Sequence, residues 1–488
     1  MILIVKLILT LGLSWLFTLF FMFWGWVMAF GAIIGIAGIT FFYTKDKISI
    51  VPVLFLWVTA YGLLINLTFL GNVRALNFVD DVLVMLLVLR VVLALPFRVV
   101  LAPIKMFFLL WVLFFLHVVI SGVVNHTEPV AILNFISSYS KLMVVFMYLL
   151  IYFDDKSLKR LLILIFIIMA VQFVVANIQF FSYNHGNFLI GRELRAGHGA
   201  GWEDSARGFF GQWGAHKLGH FSLILVIISF SLWIFTQKRK WLAWGVVSFF
   251  TFFISYTQQD YIVVVLYFIS ALNTWLKLRL RMMVRPLIIF IVIFIGIFGV
   301  LKLQHSDSLT SRRFFEYFSD TRKLSNIGKV QALQLVGKIY TENPEYAFIG
   351  AGPGSIKGGG EENERAGKLF LKYSLDRIAL QVTSTLDFWW SSFITLVVEI
   401  GVTGYVIFWI PYFILYRMAL RVYKCSDPRV STFERGLAFA LCHIVFLLVF
   451  ITFMSNHFEW FSITFPFAII AAMVWRAHQK IVLPREVV

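Results

Sequence analysis

The sequence predicts an all-α polytopic membrane protein with about fourteen transmembrane helices and two long loops on its outer face. The 488-residue chain is 60% hydrophobic, with a mean hydropathy of +0.87. A soluble protein of this length could not bury that much apolar surface. Charged residues make up only 14% of the chain and cluster between long apolar runs. Runs of about 17–25 apolar residues are long enough to cross a bilayer as helices.

The apolar runs place the individual spans. They are predicted at about 4–22, 24–43, 50–70, 79–97, 105–124, 136–153, 158–182, 217–236, 241–257, 259–276, 284–302, 390–416, 435–455 and 458–476. The first two share one continuous apolar stretch and the pair around Gln258 is tight, so the count ranges from about twelve to fourteen. No small-residue cleavage site follows the first run, so no cleavable signal peptide is expected.

Basic residues predict the orientation. With the N-terminus inside, Lys and Arg fall in the short cytoplasmic segments, for example at 238–240 and 417–435, whereas the short outer loops carry only Arg74. Cytoplasmic loops of membrane proteins accumulate positive charge. Both termini are therefore expected in the cytoplasm, and the net charge of +17 needs no nucleic-acid partner.

Two long loops lie outside under this orientation and divide the chain. The predicted parts are spans one to eleven with the outer loop 183–216 in 1–302, an outer cap in 303–389, spans twelve to fourteen in 390–476, and a cytoplasmic tail in 477–488. Within the cap, KVQALQLVGKIYTENP predicts an amphipathic helix that is closed by Pro344. Its apolar face is predicted to hold Val330, Leu333, Leu335, Val336 and Ile339.

A glycine-rich stretch, FIGAGPGSIKGGG, follows this helix from Phe348. It lacks the G-x-x-x-x-G-K-[ST] spacing of a nucleotide-binding loop, and it is predicted on the face where no nucleoside triphosphate is maintained. Two interpretations stay open. The stretch is a glycine-rich turn that ends a helix, or its backbone N–H groups hold phosphate or sugar oxygens.

Metal and disulfide patterns are not found in the sequence. The two cysteines, Cys425 and Cys442, are predicted in a cytoplasmic loop and inside a helix. His216 and His220 are one helical turn apart, but no carboxylate near them in sequence supports a metal pair, so packing or hydrogen bonding is expected. No metal and no cofactor are predicted. His443 is expected to bond a neighbouring helix.

The motifs taken in order resemble those of the O-antigen ligase and O-antigen polymerase superfamily. In that family a helix leads to a motif like NPxxGxGxGxF and then to a helix with E-x-G-x-x-G. The matching positions here are Asn343, Pro344, Gly350, Gly352, Gly354, Glu399, Gly401 and Gly404. In the earlier outer loop, DSARGFFGQWGAHKLGHF is similar to the family's R-x-x-G-x-F-x-x-x-N-x-x-G segment at Arg207, Phe210, Gly211 and Gly219. The resemblance covers about 105–475.

The sequence departs from the family pattern at two places. Trp390 stands where ligases of the family carry a histidine, and Gln258, Gln259 and Asp260 stand where an arginine is expected. A ligase mechanism that uses that histidine as a base is therefore not carried over. A polymerase is expected, with a ligase as the close alternative.

The resemblance implies a GT-C-like glycosyltransferase of the bacterial inner membrane. Its expected substrate is an oligosaccharide on a polyprenyl (undecaprenyl) diphosphate, polymerised into O-antigen, capsule or exopolysaccharide, with flippase and chain-length regulator proteins as partners. The alternative of another class is a flippase-type transporter, which would carry ionisable residues deep within several helices.

The expected glycan-transfer reaction indicates which residues could form the site. Attack on the anomeric carbon expels diphosphate, whose negative charge arginines stabilise. The candidate catalytic residues are Arg207, Glu203, Asp204, His216 and Glu399. The candidate diphosphate-binding or sugar-binding residues are Arg192, Arg195, Arg312, Arg313, Gly350, Gly352, Gly354, Gln259, Asp260 and His457. Simpler roles stay open for several, as lipid-headgroup contacts, a solvated arginine pair or an ordinary polar turn.

Overall fold

The regular structure of the described residues is helical throughout. The computed structural model describes residues 87, 88, 90, 91, 102–184, 208, 214–255, 264–271, 329–356, 369, 392–454 and 461–482. Ten helices are named here: α1 (Ala102–Val124), α2 (Pro129–Tyr152), α3 (Asp155–Asn184), α4 (Gly214–Thr236), α5 (Arg239–Ile254), α6 (Lys329–Glu342), α7 (Tyr346–Ile349), α8 (Ser392–Lys424), α9 (Thr432–Met454) and α10 (Phe461–Val482). Residues 264–271 are also helical.

Six helices in the described part of the chain are long and apolar enough to cross a membrane. They are α1 to α4, α8 and α9, so the prediction of a helical membrane protein is confirmed. Helix bounds agree with the predicted spans within a few residues, with three exceptions. Helix α2 begins at Pro129 instead of near 136, α8 continues to Lys424 instead of ending near 416, and α10 continues to Val482 instead of ending near 476. The predicted spans at 4–22, 24–43, 50–70 and 284–302 lie outside the described residues.

Helix α4 occupies the centre of the described bundle. Its sequence is apolar on all sides, and 89% of its most apolar stretch is buried. A helix without a polar face is stable only when other apolar surfaces surround it. Helices α5, α9 and α10 pack directly around α4.

Charged groups join the helix ends at one end of the bundle. Arg476 near the end of α10 donates to the backbone carbonyl of Phe153, which follows α2. Lys480, also on α10, bonds to Glu434 at the start of α9 and lies 3.6 Å from Asp155 at the start of α3. The hydrogen bond and the ion pairs together connect four helices at the end that the sequence predicts to be cytoplasmic.

The opposite end carries the cap helices. The predicted amphipathic helix is confirmed as α6, where Val336 and Ile339 are buried against Ile394 and Val398 of α8. Leu333 was predicted on the same face but is 39% exposed, because the contact with α8 is made by the later turns of α6. The short helix α7 then leads the chain into the glycine-rich stretch between α8 and α1.

Candidate functional site

A break in α8 organises the candidate site. Gly401 lies inside this helix with φ 70° and ψ 173°, a backbone region that is essentially restricted to glycine. An intact α-helix would pair the carbonyls of residues 397–400 with the N–H groups of residues 401–404. Gly401 cannot continue that ladder. Unpaired backbone groups cost several kcal/mol each in a bilayer, so these carbonyls need other partners.

All four carbonyls before the break have partners outside α8. The bonds are Tyr340 Oη to Val397 O (2.7 Å), Ala351 N to Val398 O (2.9 Å), Gly352 N and Ser121 Oγ to Glu399 O (3.0 Å each), and His117 Nε2 to Ile400 O (2.8 Å). Two donors are backbone N–H groups of the glycine-rich stretch, and the others are side chains of α6 and α1. The glycine-rich stretch therefore replaces part of the broken helix ladder.

Residues 350–356, called the glycine turn from here on, fit this place because glycine leaves no side chain. Gly350 has φ 86° and ψ 173°, and a Cβ there would lie 2.3 Å from the carbonyl oxygen of Glu399. A Cβ on Gly401 would lie 2.7 Å from the carbonyl oxygen of Phe348. Both obstacles are backbone atoms that no side-chain rotation can move. These two glycines therefore permit the close approach of the turn to the break.

Three polar side chains on one face of α1 fix the turn and the break together. His117, Ser121 and Asn125 are spaced four residues apart and so face the same side of the helix. Asn125 Nδ2 donates to the Gly350 carbonyl at 3.0 Å. His117 Nε2 must carry a proton because the Ile400 carbonyl can only accept, which leaves Nδ1 as an acceptor in the neutral ring.

Glu399 is a buried carboxylate beneath the glycine turn. Its exposed fraction is 3%, and the backbone N–H of Ile356 lies 3.4 Å from its Oε1. The neighbouring Ser355 is also buried, and its hydroxyl has no hydrogen-bond partner within the described parts of the chain. The Glu399 carboxylate therefore lies against the glycine turn and the His117 imidazole lies against the break in α8. A carboxylate and an imidazole are both groups that can accept a proton from an attacking hydroxyl.

The structure brings some of the predicted site residues into contact. It brings Gly350 and Gly352 into direct contact with Glu399, and it places Gly354 beside Ala131 at the start of α2. The predicted residues outside the described part are Arg192, Arg195, Glu203, Asp204, Arg207, Gln259, Asp260, Arg312, Arg313 and His457. His216 belongs to the first turn of α4, but its side chain also lies outside the described residues.

Gly208, which directly follows Arg207, lies between α3 and α4. Its φ is 57°, and a Cβ there would lie 2.0 Å from Gln172 Oε1 and 3.6 Å from Leu218. The Gly208 backbone therefore lies close to Gln172 of α3 and Leu218 of α4. His220 on α4 is fully buried nearby in sequence.

Two further predictions concern histidines and metals. His443 bonds a neighbouring helix as predicted, since its Nε2 lies 2.7 Å from the Ser270 hydroxyl. Among the described residues, no group of three or more His, Cys, Asp or Glu side chains is arranged to hold a metal ion.

No protein-family model matches the chain, and no curated protein sequence matches it. The function is therefore inferred from the residues and geometry of the site.

Proposed function

We propose that the protein polymerises polyprenyl-diphosphate-linked oligosaccharide repeats into a surface polysaccharide at the outer face of a bacterial inner membrane. The observation that carries the proposal is the docking of the glycine turn on the broken helix beside Glu399. These two elements contain the NPxxGxGxG-like and E-x-G-x-x-G motifs of the resemblance. Their direct contact supports a common role for both motifs in one site.

The proposed reaction transfers a glycan from diphosphate to a hydroxyl. The acceptor oxygen bonds to the anomeric carbon, the bond from that carbon to the diphosphate oxygen breaks, and the diphosphate leaves with the electron pair. The hydroxyl proton passes to a base, for which Glu399 and Nδ1 of His117 are the candidates among the described residues. Arg207 and the other outer-loop arginines are proposed to stabilise the diphosphate.

The position of the turn at one end of the bundle suits a lipid-linked substrate. We further propose that the protein is a GT-C-like glycosyltransferase that crosses the membrane about fourteen times and has both termini in the cytoplasm. Basic residues such as Arg239, Arg421 and Lys424 lie at helix ends opposite the glycine turn. Cytoplasmic segments favour positive charge, which supports an outward-facing turn near the headgroups of the outer leaflet.

One observation favours the ligase alternative. His117 lies against Gly404 of the E-x-G-x-x-G segment, where a Cβ would be 2.7 Å from its Cδ2. An imidazole is therefore present at this helix although Trp390 stands at the family's histidine position. For the transporter alternative, the described part of the chain carries three buried Arg, His or Glu side chains in three helical segments, Arg90, His220 and Glu399, and reconstitution of the purified protein separates transport from glycan transfer.

Reconstitution with a single substrate tests the proposal. Purified protein in proteoliposomes receives a polyprenyl-diphosphate oligosaccharide and no second acceptor. Growth into longer chains supports a polymerase, whereas transfer only after a second acceptor is added indicates a ligase. Translocation without a new glycosidic bond would contradict both enzyme assignments.

A matched pair of variants connects the activity to the turn. Gly350→Ala should abolish chain growth, because its Cβ would displace the turn from Glu399. Gly337→Ala on α6 is the control, since its Cβ would meet nothing within 4 Å. Equal activity in both variants would mean that the glycine turn is not part of the site.

A further inference from the structure

A groove runs along the described bundle between α8, α9 and the helical segment 264–271. Its volume is about 860 Å³, and its α8 wall extends from Tyr405 to Tyr423. At 1.5 Å of rise per residue this wall is roughly 27 Å long, close to the thickness of the hydrocarbon core of a bilayer. Trp409, Phe413 and Phe446 are among the side chains that make the wall apolar.

The imidazole in the groove wall, His443, is satisfied by partners inside the protein. His443 Nδ1 donates to the Phe439 carbonyl at 2.8 Å, so its Nε2 is left to accept from the Ser270 hydroxyl at 2.7 Å. The Tyr267 ring packs edge-on against this imidazole, with centroids 5.2 Å apart. The groove therefore offers a carbon-rich surface that suits a hydrocarbon chain.

Two cations flank the α8 wall toward one end of this groove, next to its lining residues. Arg417 and Lys424 are exposed and lie on the α8 face that also carries Phe413 and Leu420. The Arg417 guanidinium is 5.9 Å from the centre of the Phe413 ring, which places the charge at the rim. Neither cation forms an ion pair with any carboxylate of the described residues.

We propose that the groove binds an anionic phospholipid from the leaflet on the Arg417 side, which the sequence predicts to be cytoplasmic. The phosphate contacts Arg417 and Lys424, and an acyl chain lies along the aromatic wall. Basic pockets between transmembrane helices bind anionic headgroups in this way, and a guanidinium matches phosphate geometry well.

Charge distinguishes this occupant from the lipid-linked donor. The opposite end of the groove is lined by Tyr405, Val406 and Trp409, with no cation among the described lining residues. A polyprenyl diphosphate that serves the glycine turn would need its anionic headgroup at that end. The two cations instead favour a lipid with the reverse orientation, so this proposal does not depend on the proposed reaction.

Native mass spectrometry of the delipidated full-length protein tests the site. Phosphatidylglycerol and phosphatidylcholine are added separately to the wild type and to the double variant Arg417→Gln, Lys424→Gln. The wild type should retain phosphatidylglycerol preferentially, and the double variant should bind it roughly 30-fold more weakly because two headgroup contacts are lost. Lys240→Gln is the matched control, since Lys240 also lies over an aromatic ring (Trp241, 5.0 Å) but outside the groove.

A second variant tests the hydrocarbon part of the site. Val406→Trp fills the end of the groove away from the cations and should reduce phosphatidylglycerol binding while the cations remain. Equal loss in Lys240→Gln and in the double variant would show general surface attraction and overturn the proposal. Unchanged binding in the double variant, or displacement of phosphatidylglycerol by a polyprenyl diphosphate, would overturn it as well.

Discussion

Replacing Gly401 with alanine should release the glycine turn from α8. Alanine cannot adopt φ 70° and ψ 173° without strain, and its Cβ would lie 2.7 Å from Phe348 O and 2.8 Å from Gly350 N. Helix α8 would therefore favour a continuous helical ladder across the site. The carbonyls of Val398 and Glu399 would then no longer need the N–H groups of the turn.

The size of this effect follows from the contacts that are lost. The backbone strain accounts for about 1–3 kcal/mol. The two hydrogen bonds from Ala351 and Gly352 to α8 account for about 0.5–1.5 kcal/mol each. Docking of the turn should therefore weaken by roughly 2–6 kcal/mol, which makes opening of the turn about 30-fold to 30,000-fold more frequent.

Amide hydrogen exchange measured by mass spectrometry reports this opening directly, because the Ala351 and Gly352 amides are the donors. Exchange of a peptide that spans 350–356 should accelerate in Gly401→Ala and stay unchanged in Gly337→Ala. Equal exchange in wild type and Gly401→Ala would refute the reasoning, since the turn would then not depend on the break in α8.

Three further predictions follow from individual side chains. Arg207→Ala should abolish polymer while the protein stays in the membrane, and normal chain length in that variant would contradict a catalytic role. Glu399→Gln keeps an oxygen that can accept the N–H of the turn, so hydrogen exchange of the turn should be unchanged while activity falls about 100-fold. Glu345→Gln, at an exposed position, is the control, and equal activity in the two variants would rule out the Glu399 carboxylate as the base. Asp154→Ala should lower stability by about 1 kcal/mol at pH 7, because Asp154 caps α3 by accepting the Ser157 N–H at 2.8 Å. Its hydrogen bonds to Ser157 lower the pKa of Asp154 below the ordinary value of 3.8. The stabilisation by this cap is therefore complete above pH 3.8 and is lost as the pH falls through the lowered pKa. Thermal unfolding of wild type and Asp154→Ala at pH 7 and at about pH 3 tests this cause, and a stability difference that does not become smaller at about pH 3 would contradict it.

Hydropathy predicted the helices well because bilayer-spanning segments must be long and apolar. The span predicted at 390–416 was too short at its end, since hydropathy falls at Arg417 while the helix continues to Lys424. Long basic side chains extend their charges toward water, so a helix continues beyond its apolar stretch. The amphipathic pattern also predicted α6 correctly, although Leu333 lies outside the face that packs against α8.

The geometry of the site was harder to predict because it depends on contacts between distant segments. The motif E-I-G-V-T-G lies within a continuous apolar run, and nothing local shows that Gly401 breaks the helix. His117, Ser121 and Asn125 were missed, although their spacing of four residues on an apolar helix was a visible signal. Their partners lie more than 200 residues later, at Gly350, Glu399 and Ile400, so only the tertiary fold shows the role of α1.

Photo-cross-linking of a lipid-linked donor tests most directly whether the glycine turn belongs to a glycan-transfer site. The probe is a polyprenyl diphosphate oligosaccharide with a diazirine on the sugar next to the diphosphate, added to the reconstituted protein. Labelling should map to 350–356 and to the first turns of α8, and it should be lost in Gly350→Ala but kept in Gly337→Ala. Labelling that is absent from these segments, or that is equal in the two variants, would contradict the account.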